Sequence, residues 1–141
     1  SRSILLSPRG RTLNQKIVEE IASADQAILI VCGRYEGYDE RVYPIVDEVI
    51  SGGDFICQGG ETIAMTLIEA VSRLHRGVIG NPDSLTDESH SSQFVFEYPQ
   101  YTRPPVYQGD EVPEVLLSGD HEKIKRWRVA NAITNNANNS P

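Results

Sequence analysis

Apolar positions fall into blocks separated by glycine, proline and charge, and their spacing predicts alternating strands and helices. Residues 3–6, SILL, read as a short strand ended by SPRG, where Pro8 and Gly10 mark a loop. Thr12 and Gln15 fit a capping box, and Leu13, Ile17 and Ile21, with Val18 beside them, share one helical stripe. This predicts an amphipathic helix ending near Ser23. QAILIVCG, at 26–33, is a continuous apolar run bounded by Gly33, the pattern of a strand buried on both faces of a parallel sheet. A helical turn through Asp39 to Val42, stopped near Pro44, precedes two short strands, DEVIS at 47–51 and DFICQ at 54–58, separated by Gly52 and Gly53. Residues 61–76 carry the strongest helix: Ile63, Leu67, Val71 and Leu74 with Ala64 and Ile68 form one wide apolar face, and Gly77 suits the C′ position. The order implies an α/β layer domain, with a mostly parallel sheet and flanking helices.

Beyond residue 78 the periodicity weakens. GNPDSLTDESHSSQ is polar and turn-rich, and EYPQYTRPPVYQGDEVP is laced with proline, which is linker or extended-arm composition. Asp120 is placed to cap a last helix through HEKIKRWRVANAI, followed by an Asn-rich tail of disordered character. The expected division is an α/β domain over 1–80, a flexible linker over 81–97, and a C-terminal segment over 98–141 that ends in the Asn-rich tail.

Composition narrows the class. At 141 residues the chain suits one domain, or one domain plus an arm, with a core that needs no disulfide framework. Cys32 and Cys57 each close a short apolar run without metal-ligand spacing, so they read as structural thiols in a reducing compartment, and no metal site is expected. No stretch approaches the length of a membrane span and no signal-peptide pattern opens the chain, so the expectation is a cytoplasmic protein with no membrane partner. The chain begins at Ser1 without Met, close to its first strand, which reads as a fragment. A formal net charge of −7 argues against nonspecific polyanion binding, but the distribution is uneven. Acids dominate 36–61 and 83–97, whereas Arg103, Lys123, Lys125, Arg126 and Arg128 gather late, as a basic face or as an ordinary solvated helix face.

Three glycine-containing loops each follow a predicted strand: SPRG at 7–10, GRYEG at 33–37 and QGGE at 58–61. Ligands of parallel α/β sheets bind outside the carboxyl ends of strands, so these loops are positioned to line one pocket; ordinary turns are the other reading. Glycine lets backbone groups approach a planar ligand such as adenine. Neither a dinucleotide fingerprint nor a triphosphate cradle occurs. No Gly-x-Ser-x-Gly elbow appears, and His75, His90 and His121 lack a nucleophile and an orienting acid at motif spacing. TDES, at 86–89, is a plausible place for a general base on a loop, or simply a turn with solvated acids.

Taken in order, LLSPRGRTLNQ, VCGRYEGYDERV, GDFICQGGETIAMTLIEAVSRL, GVIGNPDSLTDES and YPQYTRPPVYQGDEVPEVLLSGDHEKIKRWR resemble the bacterial tRNA guanine-N1 methyltransferase family, TrmD, with nearly collinear spacing from about Leu5 to Arg128. The resemblance implies a SPOUT-class α/β domain with a C-terminal deep trefoil knot, followed by a partial helical arm. It also implies methyl transfer from S-adenosylmethionine to N1 of the guanine on the 3′ side of the tRNA anticodon. Carried onto matching positions, Leu6, Ser7 and Pro8 form one cofactor wall, Gly33, Tyr35 and Glu36 a second, and Ser51, Gly53, Phe55, Cys57, Gly59 and Gly60 the rest. The family's general base falls at Glu88, with Asp87 as the competitor after a one-residue slip, and its catalytic arginine at Arg73. Arg103, Lys123, Lys125, Arg126 and Arg128 are implied RNA contacts in a partial tRNA-binding domain. A homodimer with the active site at the subunit interface completes the expectation, the resemblance leaves open whether catalysis uses Mg²⁺, and the family's N-terminal part has no counterpart here. A catalytically silent RNA- or nucleotide-binding module of the same fold is the alternative, and a ribose methyltransferase is a third reading.

Overall fold

A computed structural model describes residues 1–80, 88–91 and 94–134. The chain divides into two compact units, Ser1–Gly80 and Asn81–Pro141. In the first unit, β1 (Arg2–Thr12), β2 (Ile28–Cys32) and β3 (Glu48–Ser51) form a parallel sheet in the order β2-β1-β3, with α1 (Gln15–Ser23) and α2 (Glu61–Ser72) packed on each other. The central strand contributes Ile4 and Leu6, two positions apart and therefore on one face. They meet Ile17, Val18 and Ile21 of α1, Ile50 of β3, and Ala64, Leu67 and Val71 of α2 in one cluster. Leu67 is 1% exposed, and Leu67→Ala is expected to cost about 2–5 kcal/mol, checked by denaturant unfolding.

Several boundaries differ from expectation. The strand predicted at 3–6 extends to Thr12, because Leu6 and Arg11 both pair with Ile50 while residues 7–10 leave the ladder between them. Thr12 therefore pairs with Ser51 rather than capping α1, and Asn14 caps the helix instead, its Oδ1 accepting from Ile17 N–H at 3.0 Å. β2 is an edge strand, so Leu29 is exposed where burial on both faces is expected. No strand forms over 54–58. Gly53 turns the chain at φ +145°, and Ser51 Oγ closes that turn, accepting from Gly53 N–H at 3.2 Å and donating to its carbonyl at 3.1 Å. The turn predicted over 39–42 is a longer 3₁₀ turn, Glu40–Ile45, that contains Pro44. α2 stops at Ser72, and tight turns follow it, with Leu74 N–H donating to the Val71 carbonyl and His75 N–H to that of Ser72.

In the second unit, β4 (Phe94–Phe96) pairs with β7 (Ile133–Thr134), so a strand stands where composition suggests linker. β5 (Val106–Tyr107) and β6 (Asp110–Glu111) form a hairpin whose turn residues, Gln108 and Gly109, both have positive φ. α3 (Glu114–Leu117) precedes α4 (His121–Asn131), which Asp120 caps by accepting from Lys123 N–H at 3.1 Å. The tail beyond residue 134 lies outside the described residues.

Candidate functional site

β1 has β2 on one side and β3 on the other, and the carboxyl ends of all three strands open toward the same region. This is the place where ligands bind in sheets of this type. A cavity of about 320 Å³ lies there. Leu6, Ser7 and Pro8 line it from the point where β1 leaves the ladder, and Gly33, Tyr35 and Glu36 from the end of β2. Ser51, Phe55, Cys57, Gly59 and Gly60 line it from the segment between β3 and α2. Gly53, placed in the same group by resemblance, does not line the cavity; its contribution is the turn behind Ser51. The apolar residues of the segment read as a strand become a wall, with Phe55 and Ile56 largely exposed.

Close approach explains two of the glycines. A Cβ on Gly33 would lie 2.5 Å from Cζ of Tyr38, and one on Gly60 would lie 3.2 Å from Cys32 Cα and Leu6 Cβ. A side chain at Gly60 would crowd the end of β1 and reduce the cavity. The loops are also joined to one another. Gly60 N–H donates to the Gly33 carbonyl at 3.2 Å, Arg34 and Gly59 form an antiparallel bridge, and Arg34 Nε meets Glu61 Oε1 at 2.7 Å. Tyr35, between these anchors, sits at φ +65° with its side chain 98% exposed. A bulky residue in that region carries strain, a feature that concentrates at ligand sites.

On the other flank, Arg9 makes a two-pronged pair with Glu40 at 2.7 and 2.9 Å and lies 4.4 Å above the Tyr43 ring, while Ser7 Oγ and Tyr43 Oη are 3.1 Å apart. The Arg9 hydrogen bond holds the Glu40 carboxyl below its ordinary range. Glu61 is lowered first by its own backbone N–H and then by Arg34, as suits an acid in the first turn of a helix. Asp39, bonded by the Arg41 guanidinium, falls to about 2. All three folded values lie below the unfolded ones, so their contribution is complete above the carboxylate range and is lost as pH falls through the folded values. Melting temperature is therefore expected to drop below about pH 4, with the Asp39–Arg41 pair the last to open, as a pH series of thermal melts checks. Burial, and then the Glu61 charge, pushes the Cys32 thiol up, consistent with an unreactive thiol.

The remaining candidates are spread over the chain. Arg73 is the C-cap residue of α2. Glu88 opens a turn tied at three points: its carbonyl accepts from Ser91 N–H at 3.3 Å, His90 N–H donates to Val95 O at 3.0 Å, and Glu97 N–H to Ser89 Oγ at 3.0 Å. Asp87 lies outside the described residues. Among the cations, Lys123 pairs with Asp120 at 3.2 Å and Arg128 covers the Tyr98 ring at 4.8 Å, while Arg103 precedes a cis proline. Lys125 and Arg128 share one side of α4, and Lys123 and Arg126 another, so these charges wrap the helix rather than forming one stripe. Sequence reasoning missed Arg34, Tyr38 and Glu61 as site residues. The first and last lie inside or beside the glycine loops, a signal that was present.

Comparison with known proteins places these features in context. A family profile described as tRNA (Guanine-1)-methyltransferase TrmD matches residues 1–141. The tRNA (guanine-N(1)-)-methyltransferase of Dehalococcoides mccartyi is 54% identical over 126 residues, covering 89% of this chain and 50% of that protein. That of Dictyoglomus turgidum is 53% identical over 133 residues, covering 94% and 54%. That of Myxococcus xanthus is 51% identical over 128 residues, covering 91% and 51%. The chain spans about half the length of these curated relatives.

Proposed function

Because the chain belongs to the tRNA (guanine-1)-methyltransferase family, we propose that its strand-end cavity holds S-adenosylmethionine for methylation of guanine N1, 3′ to the anticodon of tRNA. The observation that carries this reading is the convergence on one cavity of the excursion within β1 and the loops after β2 and β3, in a chain of that family. The cavity fits such a ligand: apolar Leu6, Phe55 and Ile56 offer surface to a nucleoside, and glycine backbone at 33, 59 and 60 offers edge hydrogen bonds. When bound, S-adenosylmethionine supplies an activated methyl group on a sulfonium.

The chain's own task is the proton. Guanine N1 is protonated at neutral pH and becomes a good nucleophile only as that proton leaves. Glu88, on its tied turn, is assigned as the acceptor, with Asp87 as the adjacent competitor. Arg73 is assigned to stabilise negative charge developing on the guanine O6. The cations Arg103, Lys123, Lys125, Arg126 and Arg128 are assigned to RNA phosphates. Arg126→Ala is expected to weaken tRNA binding at every sequence and lower the salt slope by about 1, measured by titration across salt concentrations.

The SPOUT-type trefoil knot, the partial helical arm and the homodimer with a shared active site belong to the same reading. Exposed Met65 and Ile68 on α2, one turn apart and pointing away from the core cluster, support an apolar contact with a second copy. Action in the cytoplasm follows from the substrate, and among the described residues no helix is long and apolar enough to cross a membrane. Among the described residues no group of His, Cys, Asp or Glu is arranged to hold a metal, so no step is assigned to Mg²⁺. The silent-module alternative is less favoured, since the matched relatives are named as methyltransferases. Methylation assays of guanine-containing and guanine-substituted tRNA test the reading. Transfer that persists without the guanine, or a full-length protein that binds S-adenosylmethionine and never methylates, contradicts it.

A further inference from the structure

Tyr38 lines the cavity without a role assigned above, and its phenol occupies the point where two walls of the cavity meet. The β1–β2 ladder ends at the pair Leu6 and Cys32, beyond which β1 leaves the ladder at Ser7 and β2 gives way to the loop at Gly33. Tyr38 Oη lies 3.1 Å from the Leu6 carbonyl and 3.0 Å from the Val31 carbonyl. A hydroxyl has one proton, which these acceptors share, so the phenol acts as a donor at the point where the β1–β2 ladder ends. The ring packs against Gly33 so closely that a Cβ there would lie 2.5 Å from Cζ. It also meets the Tyr43 ring edge-on at 6.3 Å, and Tyr43 reaches Ser7. One side chain thus touches β1 where it leaves the ladder, the carboxyl end of β2, the first glycine of the second loop, and the brace behind the first loop. Burial pushes the phenol up from its ordinary value, so it remains a donor throughout the neutral range.

We propose that Tyr38 is a positioning residue of the cofactor site, fixing the separation of the Leu6–Pro8 and Gly33–Glu36 walls so that the cavity is shaped before ligand arrives. The proposal rests on the reading of that cavity as the S-adenosylmethionine site. A preorganised wall spares the ligand the ordering of two loops on binding, so its loss weakens affinity more than it slows chemistry. Tyr38→Phe removes only the hydroxyl and keeps the ring against Gly33. The same change takes away the one proton that the Leu6 and Val31 carbonyls share.

The test is calorimetric titration of S-adenosylmethionine into the wild-type protein, Tyr38→Phe and Ile21→Val, with thermal melts of each. Methyl-transfer kinetics of the full-length forms follow. Ile21 belongs to the core cluster and does not line the cavity, so Ile21→Val controls for general destabilisation. The expected result is a Kd about tenfold weaker in Tyr38→Phe, with KM for S-adenosylmethionine raised in parallel, kcat within twofold and KM for tRNA unchanged. Ile21→Val is expected to lower the melting temperature with Kd kept within twofold. Wild-type affinity in Tyr38→Phe overturns the proposal, as does a weakening that Ile21→Val reproduces at an equal melting shift. Absence of binding in the wild type overturns the underlying reading of the cavity instead, and Tyr38's role falls with it.

Discussion

Glu88→Gln in the full-length protein is expected to reduce methyl transfer by about 10²- to 10⁴-fold while leaving S-adenosylmethionine affinity within twofold. Glutamine keeps the length and shape of the side chain and can still accept a hydrogen bond, but it cannot take up the N1 proton. The turn that carries Glu88 is tied by backbone hydrogen bonds and by Ser89, contacts that glutamine at position 88 retains. Asp87→Asn is the companion variant, since the two acids are adjacent and only one is needed as acceptor. A large loss in Asp87→Asn with little in Glu88→Gln transfers the assignment by one residue. Full activity in both refutes a general base in this segment. Single-turnover rates at saturating cofactor make the measurement, because they separate chemistry from product release.

Gly33→Ala is expected to weaken S-adenosylmethionine binding by about 100-fold. The added methyl would stand 2.5 Å from the Tyr38 ring, a separation that no pair of carbon atoms tolerates. Relief requires the ring to swing away, which breaks both carbonyl contacts of the hydroxyl and moves the loop that presents Tyr35 and Glu36 to the cavity. The Gly33 carbonyl, which accepts from Gly60 N–H, moves with it, so the third loop is disturbed as well. Adding Tyr38→Ala removes the obstacle, so the double variant is expected to bind no more weakly than Gly33→Ala alone. Such non-additivity marks two residues acting as one unit. Near-wild-type affinity in Gly33→Ala shows that the loop yields freely and that the tight fit is not used for binding.

How far the sequence carried these conclusions can be seen in particular residues. Ser7, Pro8, Gly33, Gly59 and Gly60 were legible because each stands in a glycine-containing loop after an apolar run, and such loops of parallel sheets bind ligands, whereas Leu6 came from the family resemblance. The α1 and α2 stripes were legible because helical periodicity is a local signal, and Ile17, Ile21, Leu67 and Val71 occupy the core as that periodicity requires. Asp54–Gln58 misled because an apolar segment before glycines has the same pattern whether it forms a strand or the wall of a cavity. Only the turn at Gly53, closed by Ser51, separates the two. The length of β1 was hidden for a related reason: SPRG reads as the end of a strand, whereas the chain leaves the ladder and rejoins it at the same partner, Ile50. Tyr38 was the least legible. Its significance depends on the fold returning residue 38 to Leu6, and no spacing along the chain encodes that contact.

Under the proposed function, the cavity between the excursion of β1 and the ends of β2 and β3 receives S-adenosylmethionine. Backbone amide chemical shifts, followed residue by residue as S-adenosylmethionine is titrated into the isotopically labelled protein, test it most directly. Saturable shifts are expected to concentrate at Ser7, Gly33, Tyr35, Gly59 and Gly60, with α1 and α4 unmoved. Saturating ligand that leaves these amides in place, or that shifts residues of the second unit alone, contradicts it.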